Sequence, residues 1–214
     1  DIVVLDADLA KSTKTINFSK EYPDRFFDMG IAEQNMMGTA AGLAAAGKVP
    51  FASSFAVFAS GRVYDQVRNS ISYPALNVKI GATHAGITVG EDGASHQAVE
   101  DIALMRVLPN MTVFVPADGP STIAAVRAAA EIEGPVYIRL GRSKVPVLHG
   151  GDLDFAPGKS IELRSGKDVT IIACGIMVAE AMEAAESLEK EGIDAAVLDM
   201  HTVKPLDVAA VIKA

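Results

Sequence analysis

The chain has 214 residues, half of them hydrophobic, and carries 19 Lys and Arg against 27 Asp and Glu, a formal balance of −8. That length allows one large domain, or one domain with part of another, and a half-apolar composition with ordinary charge content excludes disorder. An acidic mean without any local Lys/Arg cluster makes nucleic acid and anionic membrane poor partners.

The first element is an apolar run at residues 2–5, read as a strand. It follows no initiator Met, which suggests a start that has been cut away. Further short β-branched runs at 49–55, 78–82, 112–115 and 136–140 predict strands. Helical patterns fall between most of them: an Ala-rich stretch over 33–46, a stretch following Arg62, residues 97–108, and a helix after Asp118-Gly-Pro120, an N-cap residue followed by a helix-compatible proline. Strands alternating with helices predict an α/β fold with a doubly wound parallel sheet covered on both faces.

From 143 to 167 the pattern lapses into Pro, Gly and charge, the composition of an interdomain linker. A second α/β unit follows. A strand at 169–173 leads to a helix whose positions Val178, Ala181, Met182, Ala185 and Leu188 keep helical spacing, then Gly192 stops it and a strand follows at 195–198. Pro205 and Asp207 open another helix, with Val208, Val211 and Ile212 on one face. The expected organisation is a first domain over 1–145, a linker over 146–167, and a second domain over 168–214 that is too short to enclose a core and so reads as incomplete. No stretch is apolar enough to span a membrane. The single cysteine, Cys174, lies in a strand-like run and fits a reducing cytoplasm.

Chemistry-bearing residues gather at a few places. Between Asp28 and Arg62 the only charges are Glu33 and Lys48, and Glu33 opens an apolar, glycine-rich helix. It is either a solvated first-turn acid favoured by the helix dipole or a buried acid facing a ligand nitrogen. The loop from Thr83 to Gln97 follows a strand and holds His84, Glu91, Asp92 and His96, at the carboxyl end where open parallel sheets bind ligands. Its glycines do not follow the dinucleotide-binding spacing, and four metal ligands at a recognised spacing are missing, so no metal is expected on this chain. Asp6, Asp8, Ser12 and Arg142 also fall just past strands, and a parallel sheet would bring them to one edge. Arg142 could hold a phosphate or serve a cap or ion pair. Phe55 and Phe58, three apart, are core residues or a wall for a flat ring. His149 and His201 are assigned no role.

Five ordered stretches, Gly30-Ile-Ala-Glu-Gln-Asn-Met36, Ser54-Phe-Ala-Val-Phe58, Thr83-His84 through Gly90-Glu-Asp-Gly-Ala-Ser-His-Gln97, Val115-Pro-Ala-Asp118 and Leu140-Gly-Arg142, together resemble transketolase. The resemblance implies that residues 1–145 are a pyrimidine-binding domain and residues from 168 the opening of a C-terminal domain. It implies a thiamine diphosphate enzyme that moves a two-carbon ketol unit from a ketose phosphate to an aldose phosphate. Glu33 would hold the aminopyrimidine in its activating tautomer, with Phe55 and Phe58 packed on that ring, although the family's further tyrosine is unmatched at Ser60 or Gly61. His96 would relay protons at the reacting oxygens. Ser12, His84 and Arg142 would bind phosphate, and Asp92 a sugar hydroxyl. The family's Gly-Asp-Gly metal motif occurs nowhere in this chain. Magnesium and the diphosphate would therefore sit on a partner, an N-terminal diphosphate-binding subunit of a split enzyme, with this chain self-associating as a dimer. Deoxyxylulose phosphate synthase and the 2-oxoacid dehydrogenase beta subunit share the glutamate and fold, but His84, Asp92 and His96 together favour transketolase. A non-catalytic interaction or regulatory subunit is the alternative from another class.

Overall fold

A computed structural model describes residues 1–151 and 153–214. Two compact units form, one from Asp1–Val113 with Ala129–Ser143, the other from Phe114–Ala128 with Lys144–Ala214.

In the first unit β1 (Ile2–Asp6) is followed by short helices α1 (Ala10–Thr13) and α2 (Ile16–Glu21), β2 (Phe26–Asp28), α3 (Glu33–Ala45) and β3 (Val49–Phe55). Then come β4 (Lys79–Thr83), α4 (Asp101–Val107), β5 (Thr112–Phe114) and β6 (Val136–Arg139), while α5 (Gly119–Glu131), between β5 and β6 in the chain, lies mostly in the other unit. The strands lie in the order β5-β6-β4-β3-β1-β2. Every register from β6 through β2 is parallel, with Leu5 beside Phe27 and Ala52, Phe55 beside Thr83, and Ala82 beside Arg139. Side chains on both faces are buried along β1, β3 and β4, which is why these strands read as apolar runs rather than alternating ones. The chain steps from β1 outward to β2, then back across β1 to β3. With right-handed crossovers this reversal puts helices on both faces and opens a crevice between the loops that leave β1 and β3.

α3 buries Met36, Met37, Ala40 and Ala41, small or unbranched side chains that let helix and sheet approach closely. It ends in a Schellman turn at Gly47 (φ 85°), where Gly47 donates to the Ala44 carbonyl and Lys48 to that of Leu43. Three features of this unit went unpredicted. α1, α2 and β2 are too short to show a period. α1 and the start of α2 are pinned by the buried Asp6 carboxylate, which accepts hydrogen bonds from Leu9 N, Thr13 Oγ1 and Thr15 Oγ1 at 2.7, 2.7 and 2.8 Å, and β2 is held by its pairing with β1. Past Phe55 the helical path begins at once, before Arg62, and continues as two π-helical turns, Phe58–Arg62 and Gln66–Ser72. α4 begins at Asp101 rather than at 97, because Ala98 is taken up in an antiparallel bridge to Gly86.

In the second unit β7 (Ile161–Arg164) pairs antiparallel with β9 (Ala195–Asp199), and β8 (Val169–Ala173) pairs with β9 in parallel. β7 lies inside the segment expected to be a linker; its polar alternation, Glu162 and Arg164 among Ile161 and Leu163, hid it. α6 (Met177–Lys190) covers this sheet, with Ala181, Ala185, Ala195 and Val197 at the centre and Ile171, Ala173, Met182 and Leu188 around them. β10 (Thr202–Lys204) and α7 (Val208–Lys213) follow, and Asp207 caps α7 by accepting from Ala210 N at 3.1 Å. The apolar residues expected on one face of α7, Val208, Val211 and Ile212, are exposed. Residues 114–128 belong to this unit through the Val115 backbone, which bonds Gly175 and His201, and through Asp118, which accepts from Leu148 N and His149 N. Among the described residues no helix is long and apolar enough to cross a membrane.

Candidate active site

The parallel register of the first unit carries the singled-out residues to one edge. Ser12 follows β1, Phe55 ends β3, His84 follows β4, and Arg142 follows β6, while Glu33 opens α3 beyond the end of β2.

Glu33 is buried, with 3% of its surface exposed, so the solvated-acid alternative is set aside. Its Oε1 accepts from Arg62 Nη1 at 2.7 Å, and the Arg62 guanidinium also lies 4.2 Å from the Phe58 ring centroid, a cation–π distance. The Arg62 side chain is 47% exposed, so the carboxylate is neutralised from the solvent side. Gln34 Nε2 donates to the Arg62 carbonyl at 3.1 Å and ties the π-helical turn to the first turn of α3. π-helical turns commonly sit at functional sites.

Phe55 and Phe58 lie nearly parallel, their centroids 6.2 Å apart. Phe55 is buried and stacks on His84 at 3.8 Å, whereas Phe58 is half-buried and presents its edge-on contact to His96 at 5.3 Å. Phe55 is thus part of the core, while Phe58 is only half-buried, beside Glu33 and Arg62. His96 accepts from or donates to Ser95 Oγ at 3.0 Å through Nδ1.

The loop after β4 is built on left-handed backbone, with His84 at φ 57° and Gly86, Gly90 and Gly93 at 82°, 84° and 74°. At Gly90 the lack of a side chain also leaves room for Arg142. A Cβ there would lie 2.5 Å from Arg142 Nη1, so the loop backbone lies against the guanidinium. Arg142 Nη2 donates to both Glu91 carboxylate oxygens at 3.3 and 3.4 Å. Burial lowers the His84 pKa below the ordinary imidazole value, the Arg142 charge lowers it further, and Asp92 acts in the opposite sense. His84 is therefore neutral near pH 7. Ser12 is exposed on α1 and shares only the sheet edge with this group.

Sequence reasoning missed Arg62, which was noted only as a helix boundary; its signal was that it is the next charge after Lys48 in an otherwise uncharged stretch. It also missed two buried polar arrangements. Asp101 Oδ2 accepts from Tyr137 Oη at 3.0 Å and Arg139 Nε at 2.8 Å behind the loop. In the second unit His149 Nε2 and Asp199 Oδ2 lie 2.8 Å apart, both buried, and His201 stacks on Phe155 at 4.0 Å.

Residues 1–147 match the family profile described as the transketolase pyrimidine binding domain, and residues 158–214 match the transketolase C-terminal domain. The chain is 54% identical over 209 residues to a Methanocaldococcus jannaschii protein named "Putative transketolase C-terminal section", and 49% identical over 212 residues to the 6-deoxy-6-sulfo-D-fructose transketolase subunit SqwH of Clostridium sp.. These alignments take in 97% and 99% of this chain and 66% of each relative, so the chain spans just under two thirds of their length. A solved structure described as "Split gene transketolase, inactive beta4 tetramer" superposes with a TM-score of 0.91 at 63% identity, covering 99% of this chain and 68% of that one.

Proposed function

The chain belongs to the transketolase family, and from that premise we propose that it is the pyrimidine-binding subunit of a split transketolase, transferring a two-carbon ketol unit from a ketose phosphate to an aldose phosphate. The observation that carries this reading is one buried carboxylate, Glu33, placed at the carboxyl edge of a parallel sheet beside Phe58, with the Arg62 guanidinium over the Phe58 ring.

The aminopyrimidine end of thiamine diphosphate fits these residues: the ring nitrogen of its activating tautomer carries an N–H that needs an acceptor shielded from water, and a flat heterocycle needs an aromatic face. The diphosphate end with its magnesium does not fit this chain. Among the described residues no three His, Cys, Asp or Glu side chains cluster to hold a metal, and Gly-Asp-Gly is absent from the sequence. A partner chain is therefore assigned that end. The relative described as an inactive β4 tetramer supports the view that this half self-associates and is idle without its complement.

When bound, thiamine diphosphate supplies the carbon nucleophile that accepts the two-carbon unit. This chain's residues do the rest. Glu33 holds the proton at the pyrimidine nitrogen, in a site whose low dielectric strengthens the hydrogen bond. His96, steadied through Nδ1 by Ser95, exchanges a proton with the sugar oxygen at the reacting carbon. Arg142 trades Glu91 for the substrate phosphate, a charge-assisted pair of hydrogen bonds that replaces an exposed and long ion pair. Neutral His84 and Ser12 donate to the same anion, and Asp92 accepts from a sugar hydroxyl. A cytoplasmic location is part of the proposal and rests on the single cysteine, Cys174.

The test is a ketol-transfer assay with xylulose 5-phosphate and ribose 5-phosphate on this chain mixed with its diphosphate-binding partner. Activity that appears only in the mixture supports the proposal. A mixture without activity sinks it in favour of a non-catalytic subunit.

A further inference from the structure

Arg62 makes, on Glu33 and Phe58, the two contacts that an aminopyrimidine ring would make there: a hydrogen bond to the carboxylate at 2.7 Å and a face-on approach to the aromatic ring at 4.2 Å. One flat cation and one flat heterocycle cannot occupy the same face of the Phe58 ring together, although the carboxylate could accept from both. The side chain is nearly half exposed, so it has solvent to swing into, while its backbone is anchored by Gln34 and by the π-helical turn it ends.

We infer that Arg62 is a stand-in for the cofactor ring, a positioning residue that neutralises and orients Glu33 and that leaves when the ring docks. The inference rests on the proposed thiamine diphosphate function. Its physical sense is direct. A buried carboxylate without a partner is costly, and a chain that receives its cofactor only with a second subunit must hold that carboxylate beforehand. The guanidinium does so from outside, on a flexible stem, and competes with the ligand it represents. Apparent affinity for the ring is then reduced by the fraction of molecules in which Arg62 occupies its place.

The test is thiamine diphosphate binding, in the presence of magnesium, to this chain with its diphosphate-binding partner, by calorimetry, for the wild type and Arg62→Met. Methionine keeps the apolar cover of Phe58 and removes the charge. The expected result is tighter binding, by about five- to tenfold; unchanged or weaker binding overturns the inference. A second readout needs no cofactor. Arg62→Met should lower the melting temperature of the chain alone by roughly 3–6 °C, and should lower it far less in a Glu33→Gln background, where no charge is left to neutralise. Equal losses in both backgrounds overturn the inference. If wild-type mixtures neither bind thiamine diphosphate nor transfer ketol units, the proposed function falls and this inference with it. If they bind normally but Arg62→Met does not tighten binding, only the inference falls.

Discussion

At the residue scale the buried ionisable groups separate into those that serve the candidate site and those that carry stability. His201 belongs to the second kind. Burial first, and then the nearby His149, lowers its pKa from 6.5 to about 4. Between those values the unfolded chain binds a proton that the folded chain refuses, so the stability His201 contributes above pH 6.5 is lost as pH falls toward 4. Asp199 acts in the opposite sense, since burial raises it to about 6 and the folded chain takes a proton there that the unfolded chain lacks. The two partly cancel in the wild type. His201→Phe, which keeps a ring against Phe155, should therefore gain stability relative to wild type between pH 7 and pH 4, by up to about 3 kcal/mol, read from urea midpoints at the two pH values. A parallel shift of both proteins would contradict this. At the site, Gly90→Ala sets a methyl group where the Arg142 guanidinium lies. It should raise KM for phosphorylated substrates about tenfold with a smaller change in kcat. Among the residues, the buried Glu33 was legible as a candidate because it is a lone acid in an uncharged stretch. Arg62 was not, because an arginine after an apolar run looks like a helix boundary until its partner, 29 positions away, is placed.

At the element scale the strands buried on both faces and the longer helices were readable from periodicity, and the short or half-exposed elements were not. β7 and β8 show why: β8 leaves Val169 and Ile172 exposed and was found only through its β-branched run, while β7 alternates with charge and read as a linker. Their pairing on β9 also depends on a glycine that no pattern marks. A Cβ at Gly166 would lie 2.3 Å from backbone atoms of Ala195 and Ala196, with nothing flexible to yield. Gly166→Ala should thus destabilise the chain by about 3 kcal/mol or more, a fall in melting temperature of roughly 6–12 °C. Gly42→Ala is the control of opposite sign. It sits mid-α3 with open space around its Cβ position and should raise stability by up to about 1 kcal/mol. The π-helical turns after β3 are the element that sequence patterns describe least well, and they set Phe58 and Arg62 against Glu33.

At the scale of the whole molecule, a net charge of −8 coexists with a sheet edge that gathers Arg62, His84, His96 and Arg142. The mean charge disfavours polyanions, while under the proposed function the edge would receive a small one. In the proposed function that edge would orient a heterocycle and a sugar phosphate, with the metal-binding half of the chemistry on another chain. The account stands or falls on whether the Glu33 carboxylate works in such a pair. The decisive measurement is the rate of ketol transfer from xylulose 5-phosphate to ribose 5-phosphate by this chain mixed with its diphosphate-binding partner, comparing wild type with Glu33→Gln. The expected result is transfer by the wild-type mixture alone and a loss of about 10²–10⁴-fold for Glu33→Gln; full activity in that variant would contradict the account.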